Sequence, residues 1–183
     1  SAEATYGNYD ARVLKGYLTG PISETVAVSL AGGVNKRDGY VRDLGFGGRN
    51  NERNRWFLRG QLLFDPSTDL RFRVIADYDK IDENCCTVVN LQSSAATGAI
   101  LSPFIGGQVN DPADRYDDKV YTNFPSTNEI ENYGVSVQFD YDPGPVKLTS
   151  ITSLRRTNML ADQDSDFTSG RLLATNLTDQ NLK

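Results

Sequence analysis

Histidine is absent from this chain of 183 residues. Its absence removes Ser–His and Cys–His nucleophile pairs, imidazole metal sites and imidazole pH switches together. Hydrolytic chemistry would have to rest on carboxylates or lysine, and no enzyme is read here. Cysteine is confined to the adjacent pair Cys85–Cys86. Blocks of like charge are missing as well: Lys and Arg number 19, Asp and Glu 24, and the net charge is −5. That mild acidity, without a basic arm, argues against a general phosphate-binding surface and against nucleic acid as a partner. No apolar run approaches the roughly 20 residues of a transmembrane helix. A membrane barrel stays open, because its strands dilute apolar residues with lumen-facing polar ones.

What is present is alternation. In Arg55–Asp79 every second residue from Trp56 is uncharged: Trp56, Leu58, Gly60, Leu62, Phe64, and after a turn Leu70, Phe72, Val74, Ala76, Tyr78. The complementary set holds Arg55, Arg59, Arg71, Arg73, Asp77 and Asp79. A strand alternates faces with period two, so this hairpin is apolar on one side and charged on the other. Further strands are expected at the start of the chain (through Gly7) and over Ala11–Gly20, Val26–Lys36, Tyr133–Tyr141 and Val146–Arg156. Arg37–Asn54, Asp82–Glu131 and Thr157–Lys183 read as loops. The fold class is therefore all-β, with about seven antiparallel strands and no internal repeat or domain boundary.

The connections alternate in length. Gly20–Thr25, Asp65–Asp69 and Asp142–Pro145 are short and built from turn-favouring residues; the three loops above are long. In an up-and-down sheet this gathers the long loops at one end, with a short turn at Asn8–Asp10 as the exception. Outer-membrane barrels segregate loops in this way. Phe64, Phe72, Phe139 and Tyr141 fall near the short-turn end, and Tyr40, Trp56 and Tyr78 toward the long-loop end, as two interfacial girdles would. A soluble β-sandwich also alternates apolar-in and polar-out, so the alternative is a secreted all-β adhesion or carbohydrate-binding module.

In order, "EATYGNYD", "GYLTGPI", "NKRDGYVRD", "RNRWFLRGQLLFDPSTDLRFRVIADY" and "VKLTSITSLRR" followed by "DQDSD" resemble the early barrel strands of TonB-dependent outer-membrane receptors. The resemblance covers essentially the whole chain. It implies an up-and-down transmembrane barrel of 22 strands around an N-terminal plug, which imports a scarce nutrient (a metal–siderophore, cobalamin or carbohydrate) with energy passed on by TonB. Residues 1–183 would then be part of the barrel domain alone, since no TonB box, plug or aromatic-ended last strand is read in them. The implied location is the bacterial outer membrane. The implied partners are the lipid bilayer, the receptor's own plug and TonB, and a small-molecule nutrient; no cofactor is implied.

Arg55, Arg59, Arg71, Arg73, Asp77 and Asp79 read first as cross-strand ion pairs holding a wall, each worth about 0.2–1 kcal/mol. Their second reading is as lumen-facing residues in contact with a plug. Cys85 and Cys86 read as a vicinal disulfide, as free thiols or as bonded to cysteines outside these residues, and with no histidine they make a poor metal site. Asp162, Asp164 and Asp166 have the spacing of a calcium loop's start, but Phe167 and Leu173 stand where Gly and Glu are needed, which leaves an acidic solvated loop. Phe104, Tyr116, Tyr121 and Phe124 are candidates to stack on a ligand, or to pack their loop on itself.

Overall fold

The computed structural model describes residues 1–178. In chain order the strands are β1 (Ala2–Gly7), β2 (Ala11–Pro21), β3 (Val26–Arg37), β4 (Val41–Asp43), β5 (Arg49–Asn50), β6 (Arg53–Ser67) and β7 (Leu70–Asn84), then β8 (Lys119–Val120), β9 (Thr127–Tyr141), β10 (Leu148–Asp164) and β11 (Ala174–Thr178). A short helix α1 (Ala95–Ile100) and a 3-10 turn (Pro112–Asp114) lie between β7 and β8.

An 8-stranded sheet takes β1-β2-β3-β6-β7-β9-β10-β11 in order, every neighbour antiparallel. Among the described residues it is an open meander, with β1 and β11 each paired on one side. A second sheet, β5-β4-β8, has 3 strands and belongs to the loops. The main strands are long because their backbone ladders continue well past the apolar stretch. β6, β7 and β9 have 15 residues each and β10 has 17.

Several expected boundaries move. The polar segment after Thr157 is not all loop: β10 runs on to Asp164, and β11 adds an eighth strand to the sheet. The irregular stretch from Asp82 also shrinks, since β7 continues to Asn84 and β9 starts at Thr127. Polar side chains hid these extensions; ladder hydrogen bonds use the backbone and accept Asn, Asp and Glu as they do apolar residues. The β6–β7 turn tightens to Thr68–Asp69, with a register shift between Phe64 and Ser67. Pro66 sits in that shift, where a residue without an N–H interrupts a ladder least.

The loop ends separate as expected. At one end lie the short connections 22–25, 68–69 and 142–147; at the other lie 8–10, 38–52, 85–126 and 165–173. Among the described residues the buried hydrophobic side chains are Val41 and Val120, both in the loop sheet. The large sheet thus has no apolar core of its own. Amide hydrogen exchange is expected to be slowest in β6, β7 and β9, ladder-bonded on both sides, and fastest in β1 and β11. Equal protection of the edge strands would show that something else pairs with them.

Candidate functional site

The ladders align one apolar face across the sheet. Leu14, Gly16 and Leu18 of β2 oppose Val34, Gly32 and Leu30 of β3; Val34, Gly32 and Val28 oppose Trp56, Leu58 and Leu62 of β6. Leu62, Val74 and Val137 follow in register across β6, β7 and β9, then Thr152 on β10. This face is uncovered: Leu18 is 72% exposed, Leu154 71% and Leu58 48%.

Two aromatic rows bound it. Trp56 stacks on Tyr78 (4.9 Å between centroids) and Tyr78 on Tyr133 (6.3 Å). At the short-turn end Phe64 stacks on Phe72 (6.1 Å), which meets Phe139 at 5.2 Å. Tyr40 lies outside these rows, against Tyr9 with Arg37 over its ring; Tyr133 takes the place expected for it. From Tyr133 to Tyr141 this face of β9 carries no charge, a run of roughly 27 Å along the strand. A strand tilt of about 40° makes that roughly 21 Å along a membrane normal, against an apolar band of about 25 Å in membrane barrels. Charges on this face begin level with the long-loop row: Lys80 opposes Trp56, and Arg156 opposes Tyr133.

The other face is polar, and its pairs differ from the simple cross-strand set. Arg55 reaches the buried Glu83 through Nε (2.5 Å) and a second guanidinium nitrogen (2.8 Å). Arg71 forks onto Asp65 at 2.8 and 2.7 Å. Asp77 stands directly opposite Arg59 but accepts instead from Arg155, two strands away, at 2.8 Å. Gly134 lies in register between Asp77 and Arg155. With no side chain there, the guanidinium crosses β9 unobstructed. Asp79 accepts from Asn132 (2.9 Å), which in turn accepts from Thr157 (2.6 Å). Arg59 and Arg73 make no hydrogen bond or ion pair among the described residues, so the structure brings four of the six charged candidates into contacts on this face and leaves two open.

The long loops form one polar core. Buried Asp43 ends β4 and gathers two loops: its Oδ1 accepts from the N–H groups of Gly45 (2.9 Å), Phe46 (3.2 Å) and Thr122 (3.1 Å). Its Oδ2 accepts from Asn50 (2.9 Å) and the Thr122 hydroxyl. Gly45 is required beside it, because a Cβ would overlap the Thr122 backbone. β8 then pairs in parallel with β4. The third loop joins through Asp164, which accepts from Asn123 N–H (3.0 Å) and Phe167 N–H (3.2 Å). Asp166 holds the N–H groups of Thr168, Leu172 and Leu173. This corrects the reading of the "DQDSD" segment as solvated: Asp164 is fully buried, and these carboxylates cap their own loop's amides. β10 leaves the apolar band at Arg156, so Asp164 lies in the extension beyond it. Burial pushes its carboxyl above the usual aspartate range, outweighing the backbone N–H groups of Asn123, Phe167 and Asp166, while the charge of Asp166 pushes the same way.

Cys85 and Cys86 are joined in a disulfide directly after β7. The N–H groups of Cys86 and Thr87 donate to Asn51 Oδ1 at 2.9 and 3.3 Å, so the bridge is clasped to the loop before β6. Phe104 is 100% exposed, and Tyr116 is exposed with Arg115 4.8 Å over its ring. Tyr121 and Phe124 are half-buried in the loop core. Sequence reading missed Glu83, Gly134 and Arg155, which only the strand register brings into play, and Asp43, whose Asp-Leu-Gly context reads as an ordinary turn. No family model, curated protein or solved structure matches this chain.

Two outcomes follow from the loop core. Asp43→Ala strands several buried donors and is expected to cost about 1–3 kcal/mol or more, read as faster proteolysis of 38–52 and 119–124 with the sheet's exchange protection kept. Asp164 binds its proton more tightly folded than unfolded. Its contribution to stability is therefore full below the ordinary aspartate pKa and is lost as pH rises through the raised value. In thermal unfolding measured from about pH 4 to pH 7, Asp164→Asn should flatten that decline; an unchanged profile would assign the slope elsewhere.

Proposed function

We propose that this chain forms part of the wall of an outer-membrane active-transport receptor of the TonB-dependent kind, importing a scarce nutrient and catalysing no reaction. The observation that carries the reading is the uncovered apolar face, charge-free between two aromatic rows. A soluble sandwich buries such a face against a second sheet; here the second sheet is built from loops and leaves the face bare. In hydrocarbon the same face is at its most stable, and the rows take the two water interfaces. The segregated connections support the same orientation, with the loop core outside the cell.

On this reading the sheet is one arc of a larger barrel. Its two unpaired edges continue into further strands, because an open edge in hydrocarbon leaves N–H and C=O groups without partners. The polar face lines the lumen. Arg59 and Arg73, the two open cations, are then the residues offered to a plug or to a passing solute, while Arg55, Arg71, Asp77 and Asp79 hold the wall. The nutrient is a metal–siderophore, cobalamin or carbohydrate, and TonB supplies the energy through the plug.

The test is a pair of substitutions in the membrane-assembled protein. Leu62→Arg puts a charge near the middle of the apolar band and should cost roughly 2–4 kcal/mol, whereas Arg59→Ala on the polar face should cost much less. Heat-modifiable gel mobility reads assembly: the first variant should lose the folded band and the second keep it. Equal tolerance of both, or a monomeric protein that purifies without detergent, would favour the secreted module instead.

A further inference from the structure

The third loop contains a charge its own acids do not use. Between Asp164 and β11 the only cation is Arg171, exposed and without a hydrogen bond or ion pair among the described residues. Carboxylates are close in sequence, yet each is committed elsewhere. Asp164 accepts from Asn123 and Phe167. Asp166 spends both oxygens on the amides of Thr168, Leu172 and Leu173. Asp162 accepts from Asn176. The loop's acids are engaged with backbone amides and with Asn176, and Arg171 is left exposed.

It faces a cleft. Arg171 lines an open cavity of about 360 Å³ with Asn123, Phe124, Leu172, Leu173 and Ala174. That volume is at the small end of ligand sites, enough for one ring and a short substituent. The Asn123 side chain is already engaged, donating to Gly170 O at 2.9 Å, and its N–H is held by Asp164. The chemistry left for a visitor is one cation, one aromatic ring and two leucines that are 48% and 57% exposed. A guanidinium binds a planar anion through two parallel N–H donors, and an aromatic ring with aliphatic neighbours takes a flat, weakly polar body.

We propose that this cleft is a binding site for a small organic anion with a ring-like body, Arg171 holding the carboxylate or equivalent group and Phe124, Leu172 and Leu173 the ring. The inference rests on the cleft alone and not on closure of the sheet into a barrel. Two carboxylates lie behind the cleft, Asp164 on the Asn123 N–H and Asp166 on the Leu172 and Leu173 N–H groups, and these backbone donors offset part of their repulsion of an anion.

Saturation-transfer NMR on the full chain tests it, with benzoate as the probe, benzamide as its neutral isostere and acetate as the anion without a ring. Benzoate should bind saturably below about 20 mM, as a weak single contact does, and benzamide and acetate should each bind more weakly. Arg171→Gln should weaken benzoate on the order of tenfold, Arg171→Lys should recover part of it, and Phe124→Ala should reduce benzoate without affecting acetate. Arg171 is exposed, so its variants keep the fold, checked by unchanged amide shifts outside 121–126 and 170–174. Benzoate bound equally by Arg171→Gln, benzamide bound as well as benzoate, or no saturable binding would each overturn the proposal. Because the readout is binding, failure here leaves the membrane reading standing, and failure of heat-modifiable assembly leaves the cleft standing.

Discussion

Register is the constraint on which this molecule depends. A side chain's face is set by the parity of its position, so a one-residue slip in any ladder would move an entire charged set onto the apolar side. Between Leu58 and Leu62 a slip would exchange leucines for Arg59 and Gln61. The single irregularity, between Phe64 and Ser67, falls beyond the last ring of that strand, where a change of phase no longer matters. The charge-free zone is therefore a property of the ladders together and not of any one strand.

The two ends of the molecule are stabilised by different physics. The sheet offers no interior: its apolar residues lie uncovered on one face, and its strands are held by their ladders. The loops bury few apolar atoms and instead satisfy polar ones. Asp43, Asp164 and Asp166 act as preformed acceptors for amides that an irregular backbone would otherwise leave unpaired. Such a core is unforgiving, since each carboxylate serves several donors and its loss strands all of them. The same economy explains why loops rich in Asn, Asp and Gly are ordered against one another here.

Much of the sheet was legible in the sequence because period two is a local signal. The hairpin Arg55–Asp79, the strands near Val26 and Tyr133, and the segregation of loops all rest on residues within a few positions of one another. Less legible was everything set between distant strands. Asp77 was a visible charge, but its partner Arg155 is fixed by two successive ladders and by the bareness of Gly134. Strand ends in polar sequence escaped for a related reason: without a buried face, alternation between Asn, Glu and Asp carries no contrast. The acidic triplet from Asp162 was noticed for its spacing and misjudged for its surroundings, because burial of Asp164 is decided by Asn123 and Ser126, far away in the chain.

The parallel pairing of β4 with β8 has a kinetic consequence. Most ladders of the large sheet join strands linked by a turn or a loop of modest length and can zip from it at modest loop-closure cost, whereas β7 and β9 pair across residues 85–126. The contact between Asp43 and Thr122 spans 79 positions, and the one between Asn123 and Asp164 needs the far end of β10. Contacts of such separation are assembled late, because their entropy must be met before they return anything. The loop core therefore belongs, with the β7–β9 ladder, to the part of the structure that closes after the local hairpins have formed.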